Sequence, residues 1–202
     1  MKIDSQIQCL NFPCMDIKQE VHQIPSIDLD PQSIRMVLIS ESVPKNPRDD
    51  YYQPGNPGYE RTTLTAFKDA GVEAKSIQEL VEKGIYFTSA VKCAKTAYTI
   101  QSATIKECSF ILEKELALFP NLKVIMLMGD VAIKALNTIS LHRIKQRIIP
   151  DGATYKIRNG KYTYNDMRVF PSYLQAGPSF NIEKSKRRMI AEDITNALKL
   201  LG

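Results

Sequence analysis

The chain has 202 residues, 44% of them hydrophobic, which is enough for one substantial core, so a single domain over residues 1–202 with an N-terminal arm at 1–33 is expected. No apolar run reaches the roughly 20 residues that cross a bilayer, and Met1 to Asn11 lacks a basic region followed by a long apolar stretch, so the expectation is a cytoplasmic protein without a membrane partner. The formal net charge of +5 is unevenly spread: residues 1–140 carry 15 Lys and Arg against 17 Asp and Glu, and residues 141–202 carry 12 against 5, an asymmetry that suits a polyanion and equally a solvated basic face.

After the arm, Arg35 to Ser40 is a short apolar run rich in branched residues, the pattern of a strand buried on both faces. Similar runs recur at Ile85 to Val91 and at Val124 to Met128, the latter closing on Gly129. Between them, Ser102 to Phe119 places Ile105, Cys108, Leu112, Leu116 and Phe119 on one face of a 3.6-residue period, which predicts a helix. A second helix is expected over Asp130 to Ile139, with Asp130 able to cap its first amides. Thr154 to Arg158 and Lys161 to Tyr164 flank Asn159-Gly160, a hairpin signal, and Arg168 to Phe170 gives a last short strand. The closing helix, about Asn181 to Leu201, puts Ile190, Ile194, Ala197, Leu198 and Leu201 on one face and Lys184, Arg187 and Arg188 on another. Strands alternating with helices predict an α/β fold, a three-layer α/β/α sandwich with a short, mainly parallel central sheet.

Ligands of such folds bind at the carboxyl ends of the strands, which directs attention to Glu41 to Tyr59, Lys92 to Gln101 and Pro171 to Ser179. The first loop combines Glu41, Asp49 and Asp50 with Tyr51, Tyr52 and Tyr59: carboxylates can activate water or balance a developing positive charge, and flat rings can stack on a base. The same composition also describes a rigid surface loop with solvated acids. The third loop, with Ser172, Tyr173 and Leu174, has small and hydroxyl residues that let amides approach phosphate and an apolar tip, Leu174, able to wedge between bases; Pro, Ser and Gly are also ordinary turn residues.

In order and in motif, the chain resembles the iron–sulfur type, family 4, of the uracil-DNA glycosylase superfamily across nearly its full length. The resemblance rests on Tyr86-Phe-Thr-Ser-Ala-Val-Lys-Cys93, on Cys108 in the following helix, and on Phe119-Pro-Asn-Leu-Lys-Val-Ile-Met-Leu-Met-Gly129 with Ala132 and Leu136 beyond it. Ile39-Ser-Glu-Ser-Val-Pro44 stands where those relatives have Gly-Glu-Ala-Pro-Gly, so Glu41 carries over while the glycines do not, and Asp49 and Asp50 correspond approximately to later acids. Ser89 replaces an Asn that would contact the base edge, and Phe170-Pro-Ser172 replaces His-Pro-Ser.

The resemblance implies hydrolysis of the N-glycosidic bond of a damaged, deaminated base in DNA. In that reading Glu41, Asp49 and Asp50 are catalytic, and Tyr52, Tyr59, Ser89 and Phe170 line the base pocket. Ser172, Tyr173, Leu174, Lys184, Lys186, Arg187 and Arg188 contact DNA, and the protein acts as a monomer with no organic cofactor. Phe170 can donate no hydrogen bond to the leaving base, and losing one such donor commonly costs about 3 kcal/mol, so a catalytically inactive DNA- or nucleotide-binding module of the same fold is the alternative. A small-molecule nucleosidase ranks below both, because it leaves the basic last third unexplained. His22 and His142 lie outside the matched motifs and read as structural or surface residues. The resemblance also implies that Cys9, Cys14, Cys93 and Cys108, all the cysteines of the chain, hold a [4Fe–4S] cluster, although the first pair is spaced C-x4-C instead of C-x2-C. Zinc and buried free thiols remain open as readings of the same residues.

Overall fold

Runs of branched side chains without polar interruption require cover on both faces, and the computed structural model, which describes residues 1–10 and 13–202, provides it. The strands are β1 (Ile17–His22), β2 (Met36–Ser42), β3 (Ile85–Val91), β4 (Cys93–Lys95), β5 (Val124–Met128), β6 (Tyr162–Tyr164) and β7 (Met167–Ser172). The helices are α1 (Gly58–Asp69), α2 (Ile77–Glu82), α3 (Ser102–Leu116), α4 (Asp130–Ile144), α5 (Thr154–Ile157) and α6 (Lys184–Leu198). Five strands form the central sheet in the order β3-β2-β5-β7-β6, parallel except for β6. Helices α3 and α4 cover one face; α1 and α6 cover the other, where Phe67 of α1 meets Phe87 of β3 edge-on at 5.9 Å. The expected three-layer α/β/α architecture is therefore present.

The hairpin lies elsewhere than expected. Thr154, Ile157 and Arg158 are buried while Tyr155 and Lys156 are exposed, the i, i+3, i+4 spacing of a helical turn, and residues 154–157 form α5. The tight turn falls instead at Asn165-Asp166, between β6 and β7, with φ of 46° and 64°. Two consecutive positive φ values give the twist that a two-residue hairpin needs, and Asn and Asp are the side-chain-bearing residues that tolerate them best.

The N-terminal arm is built into the domain. β1 pairs antiparallel with β4, Ile17 opposite Lys95, and the Asp16 carboxylate accepts the Gln101 N–H at 2.6 Å and the Thr104 hydroxyl at the start of α3. Ile3 and Ile7 join the main core.

Beneath the carboxyl end of β3 sits a buried ion pair, Lys92 with Glu115 of α3, the two side chains 1% and 0% exposed. The Glu115 carboxylate also accepts the hydroxyls of Tyr86 at 2.7 Å and Thr88 at 2.8 Å, and the Lys92 ammonium donates to Thr88 Oγ1 and to the Ser89 carbonyl, each at 2.7 Å. A desolvated pair of this kind is tolerable because its remaining hydrogen-bonding capacity is used. Removing one charge leaves the other uncompensated, so Glu115→Gln is expected to lower the unfolding free energy by roughly 3 kcal/mol or more in denaturant titrations. The double variant Lys92→Met/Glu115→Leu should lose less than the sum of its single changes; additive losses would show that the pair is not coupled.

Candidate active site at the carboxyl end of the sheet

Because β2, β5 and β7 are parallel neighbours, their carboxyl ends lie side by side. The Gly129 N–H, just past β5, donates to the Ser172 carbonyl at 3.0 Å, closing the row across to β7. Gly129 has φ of 101°, and a Cβ there would stand 2.7 Å from Glu41 Oε1. Glycine is thus required twice, for its backbone conformation and for the room it leaves the carboxylate. Glu41 near the end of β2 is 21% exposed, and the Lys95 ammonium stands 3.9 Å from its Oε2. The Glu41 turn and the Phe-Pro-Ser segment therefore share one end of the sheet.

Two further carboxyls arrive on the turn after β2. Asp49 Oδ1 accepts the Gly58 N–H at 3.2 Å, where the first amides of α1 point at negative charge. Asp50 is buried, and burial pushes its carboxyl up to about 6, opposed by the Tyr51 N–H and the Lys92 charge. Tyr59 is the common neighbour: its phenol donates to the Ser42 carbonyl at 3.1 Å, and burial first, then the charges of Asp50, Glu41 and Asp49, raise its pKa. A carboxyl poised near neutrality and a solvent-reaching one, both within electrostatic reach of the Tyr59 phenol, suit moving a proton and balancing positive charge.

The tyrosines of this turn have structural tasks as well. Tyr52 Oη donates to the Phe87 carbonyl at 2.9 Å and accepts the Phe87 N–H at 3.0 Å, filling the place of a missing neighbour strand at the β3 edge. Its ring stacks on Tyr86 at 6.2 Å. Tyr51 is fully enclosed, its hydroxyl shared with Ser40 and accepting from Gln175 Nε2 at 2.9 Å, and its ring meets Tyr59 edge-on at 5.3 Å.

Most of the remaining expected positions have partners within the fold. Phe170 is buried: strand register aligns it with Met126, Leu38 and Phe87 in an apolar row on the α1 and α6 face, with the Arg168 guanidinium 4.7 Å from its ring. Ser172 does not face solvent phosphate, because its buried hydroxyl donates to Asp193 of α6 at 2.6 Å. Ser89 is buried in register with Ser40. Tyr173 and Leu174 are half-buried against the core, Tyr173 with the Lys186 ammonium 5.3 Å from its ring. Arg187 forms an ion pair with Asp69 of α1 and stacks its guanidinium over Phe180 at 5.4 Å, Lys186 pairs with Glu183, and Arg188 reaches Glu192; Lys184 is exposed. The basic face of α6 is thus largely tied into local ion pairs.

The cysteines come from three segments. Cys93 opens β4 and Cys108 lies on the inner stripe of α3, both buried, while Cys9 and Cys14 come half-buried from the arm. Burial, reinforced by the other three thiols, pushes Cys93 up to about 12, and burial above all pushes Cys108 up to about 11. The four therefore lie within electrostatic reach of one another. Among the described residues, however, no three His, Cys, Asp or Glu side chains are grouped so as to hold a metal ion.

Sequence reasoning gave no role to Lys92, Lys95 or Gln175. Lys95 carries a signal only in retrospect, as the fourth residue after the end of β3; Lys92 was legible as part of a motif, without its partner, and Gln175 looked like an ordinary loop amide. A cleft of about 420 Å³ between α3, α4 and residues 147–152 is lined by Ile105, Asp130, Ile133, Asn137, Arg147 and Asp151, not by Glu41 or Ser89. Glu41 instead lies partly exposed between Gly129 and the Lys95 ammonium.

The buried Asp50 has a stability consequence whose sign is fixed. Its folded pKa is raised, so the folded state holds the proton more tightly and the protein loses stability as pH rises from about 4 through about 6. Asp50→Asn should therefore be more stable than the parent above about pH 6.5, by up to about 3 kcal/mol, with the advantage shrinking toward pH 4.5 in denaturant titrations. An advantage independent of pH would remove burial of the charge as its cause.

Comparisons with known proteins agree with this geometry. The family model described as Uracil DNA glycosylase superfamily matches residues 31–198. A type-5 uracil-DNA glycosylase of Thermus thermophilus is 27% identical over 119 residues, 59% of this chain and 52% of that protein, so the chain spans about half the length of the curated relative it matches. The relative is named as type 5, whereas the motifs had pointed to family 4 within the same superfamily. No helix among the described residues is long and apolar enough to cross a membrane. With the family model matching from before β2 to the end of α6, and with a parallel sheet carrying its acids at the carboxyl edge, this chain belongs to the uracil DNA glycosylase superfamily.

Proposed function

We propose that the protein is a DNA glycosylase that hydrolyses the N-glycosidic bond of a deaminated base in DNA. The observation that carries this reading is the convergence of Glu41, Asp49 and Asp50 around Tyr59 at the carboxyl end of the sheet. Breaking the bond sends its electron pair to the departing base and leaves positive charge on the sugar, which a nearby carboxylate stabilises. Water then adds to the sugar carbon and gives its proton to a carboxylate, leaving free base and an abasic site. Asp50, with a pKa near 6, suits the proton-accepting role at neutral pH, and Glu41, reaching the rim beside Lys95, suits the stabilising one. Asp49 orients the start of α1, and Ser89 stands closest to the role of reading the base edge.

The test is a panel of single-stranded and duplex oligonucleotides containing uracil, hypoxanthine or xanthine, followed by alkali to reveal abasic sites. The parent protein should yield breaks on at least one lesion, Glu41→Gln should slow them by roughly a hundredfold or more, and Gly129→Ala should also slow them by displacing the Glu41 carboxylate. Binding without breaks on every lesion would overturn hydrolysis and favour the inactive binding module, a reading that the placement of Phe170 in the apolar core supports.

We also read Cys9, Cys14, Cys93 and Cys108 as ligands of a [4Fe–4S] cluster. The donor set and the electrostatic reach of the thiols support this, and the pairing of β1 with β4 brings the arm that carries Cys9 and Cys14 to the strand that carries Cys93. A cluster there would tie the arm to the domain and take no part in bond cleavage. Anaerobically purified protein should be brown, with a visible absorbance that Cys93→Ala abolishes; colourless protein with all four thiols titratable would overturn the assignment.

A further inference from the structure

Tyr98, 92% exposed, stands on the connection between β4 and α3. Single exposed rings are ordinary, so exposure alone carries little. Its neighbours carry more. The Lys95 ammonium donates to the Tyr98 carbonyl at 2.9 Å, lies 5.5 Å from the Tyr98 ring centroid, and is the same ammonium that stands 3.9 Å from Glu41 Oε2. One lysine therefore ties the exposed ring to the candidate catalytic carboxylate.

Across the rim, the Lys186 ammonium sits 5.3 Å from the ring of Tyr173. Besides its ion pair with Glu183, Lys186 lies within electrostatic reach of the phenols of both Tyr173 and Tyr98, so the β4–α3 connection and α6 are neighbours at this edge. Two aromatic rings and two ammoniums are thus delivered to one rim by the β4–α3 connection, the β7–α6 connection and α6 itself. A flat ring presents a surface on which any base can stack, whatever its sequence, and flanking cations hold the phosphates on either side.

We propose that Tyr98 and Tyr173, flanked by Lys95 and Lys186, form a stacking platform for the unpaired bases next to the extruded nucleotide, so that the protein engages single-stranded or locally melted DNA. The proposal deepens the glycosylase reading and rests on it. It assigns Tyr98 a binding role and Lys95 a positioning role between platform and carboxylate. Because Tyr98 is solvent-exposed, its substitution leaves the core untouched.

The test uses the full chain and labelled single-stranded oligonucleotides carrying an abasic-site analogue with 2-aminopurine beside it, at fixed salt. Tyr98→Ala should weaken binding about tenfold, the scale of one base stacked on an aromatic ring, and should abolish the 2-aminopurine quenching seen with the parent. Tyr98→Phe should restore both. Tyr155→Ala serves as control, since Tyr155 is also exposed and lies beside Lys156 but is carried on α5; it should bind like the parent. If the parent releases bases and Tyr98→Ala binds and quenches equally well, the platform is wrong and the glycosylase reading stands. If the parent binds none of these oligonucleotides and releases no base, both are wrong.

Discussion

The close approach of Gly129 to Glu41 is the contact on which the site depends. A carboxylate at the end of a central strand ordinarily turns out into water; here it is received against bare backbone, because the residue after β5 has no side chain and adopts φ of 101°. The same glycine donates its N–H to Ser172, so a single residue fixes the spacing of three strand ends and leaves the space one carboxylate needs. Ser172 is anchored in turn by Asp193, which also pairs with Arg158 of the segment after α5. The carboxyl end of the sheet is thereby tied to α6.

A second consequence concerns the tyrosines. An edge strand with open amides invites association with another chain, and β3 is such an edge. Tyr52 satisfies Phe87 from both sides with one hydroxyl, and Tyr51 links Ser40 to Gln175 of the β7–α6 connection. These rings hold the acidic turn in place, so Asp49 and Asp50 are presented by a packed scaffold and not by a loose loop. Burial of that scaffold is also what lifts the Asp50 carboxyl toward neutrality. Structural and chemical roles are in this way carried by the same few residues.

The departures from the resembled motifs acquire a physical meaning in this setting. Phe170 substitutes an apolar ring in a row already formed by Phe87, Leu38 and Met126, so the change favours packing where a hydrogen-bond donor would have faced a base. Any catalysis must then lean on the carboxylates around Tyr59. Membership of the superfamily and the layout of the sheet are unaffected, because neither depends on that side chain.

The sequence by itself determined the layered α/β architecture and the positions of β2, β3, β5, α3 and α4, and it singled out Glu41 and the end of β5 at Gly129, because these are written in local periodicity and in contiguous motifs. It misplaced the hairpin, since Asn-Gly at 159–160 is a strong turn signal that a buried Thr154, Ile157 and Arg158 overrode with a helical turn. Only the tertiary structure decided which polar groups face inward: that Lys92 pairs with Glu115 23 residues away, that Ser172 turns to Asp193, and that the basic residues of α6 are engaged by Asp69, Glu183 and Glu192. Those choices depend on partners brought together by packing, and no spacing along the chain encodes which charge a folded neighbour will present.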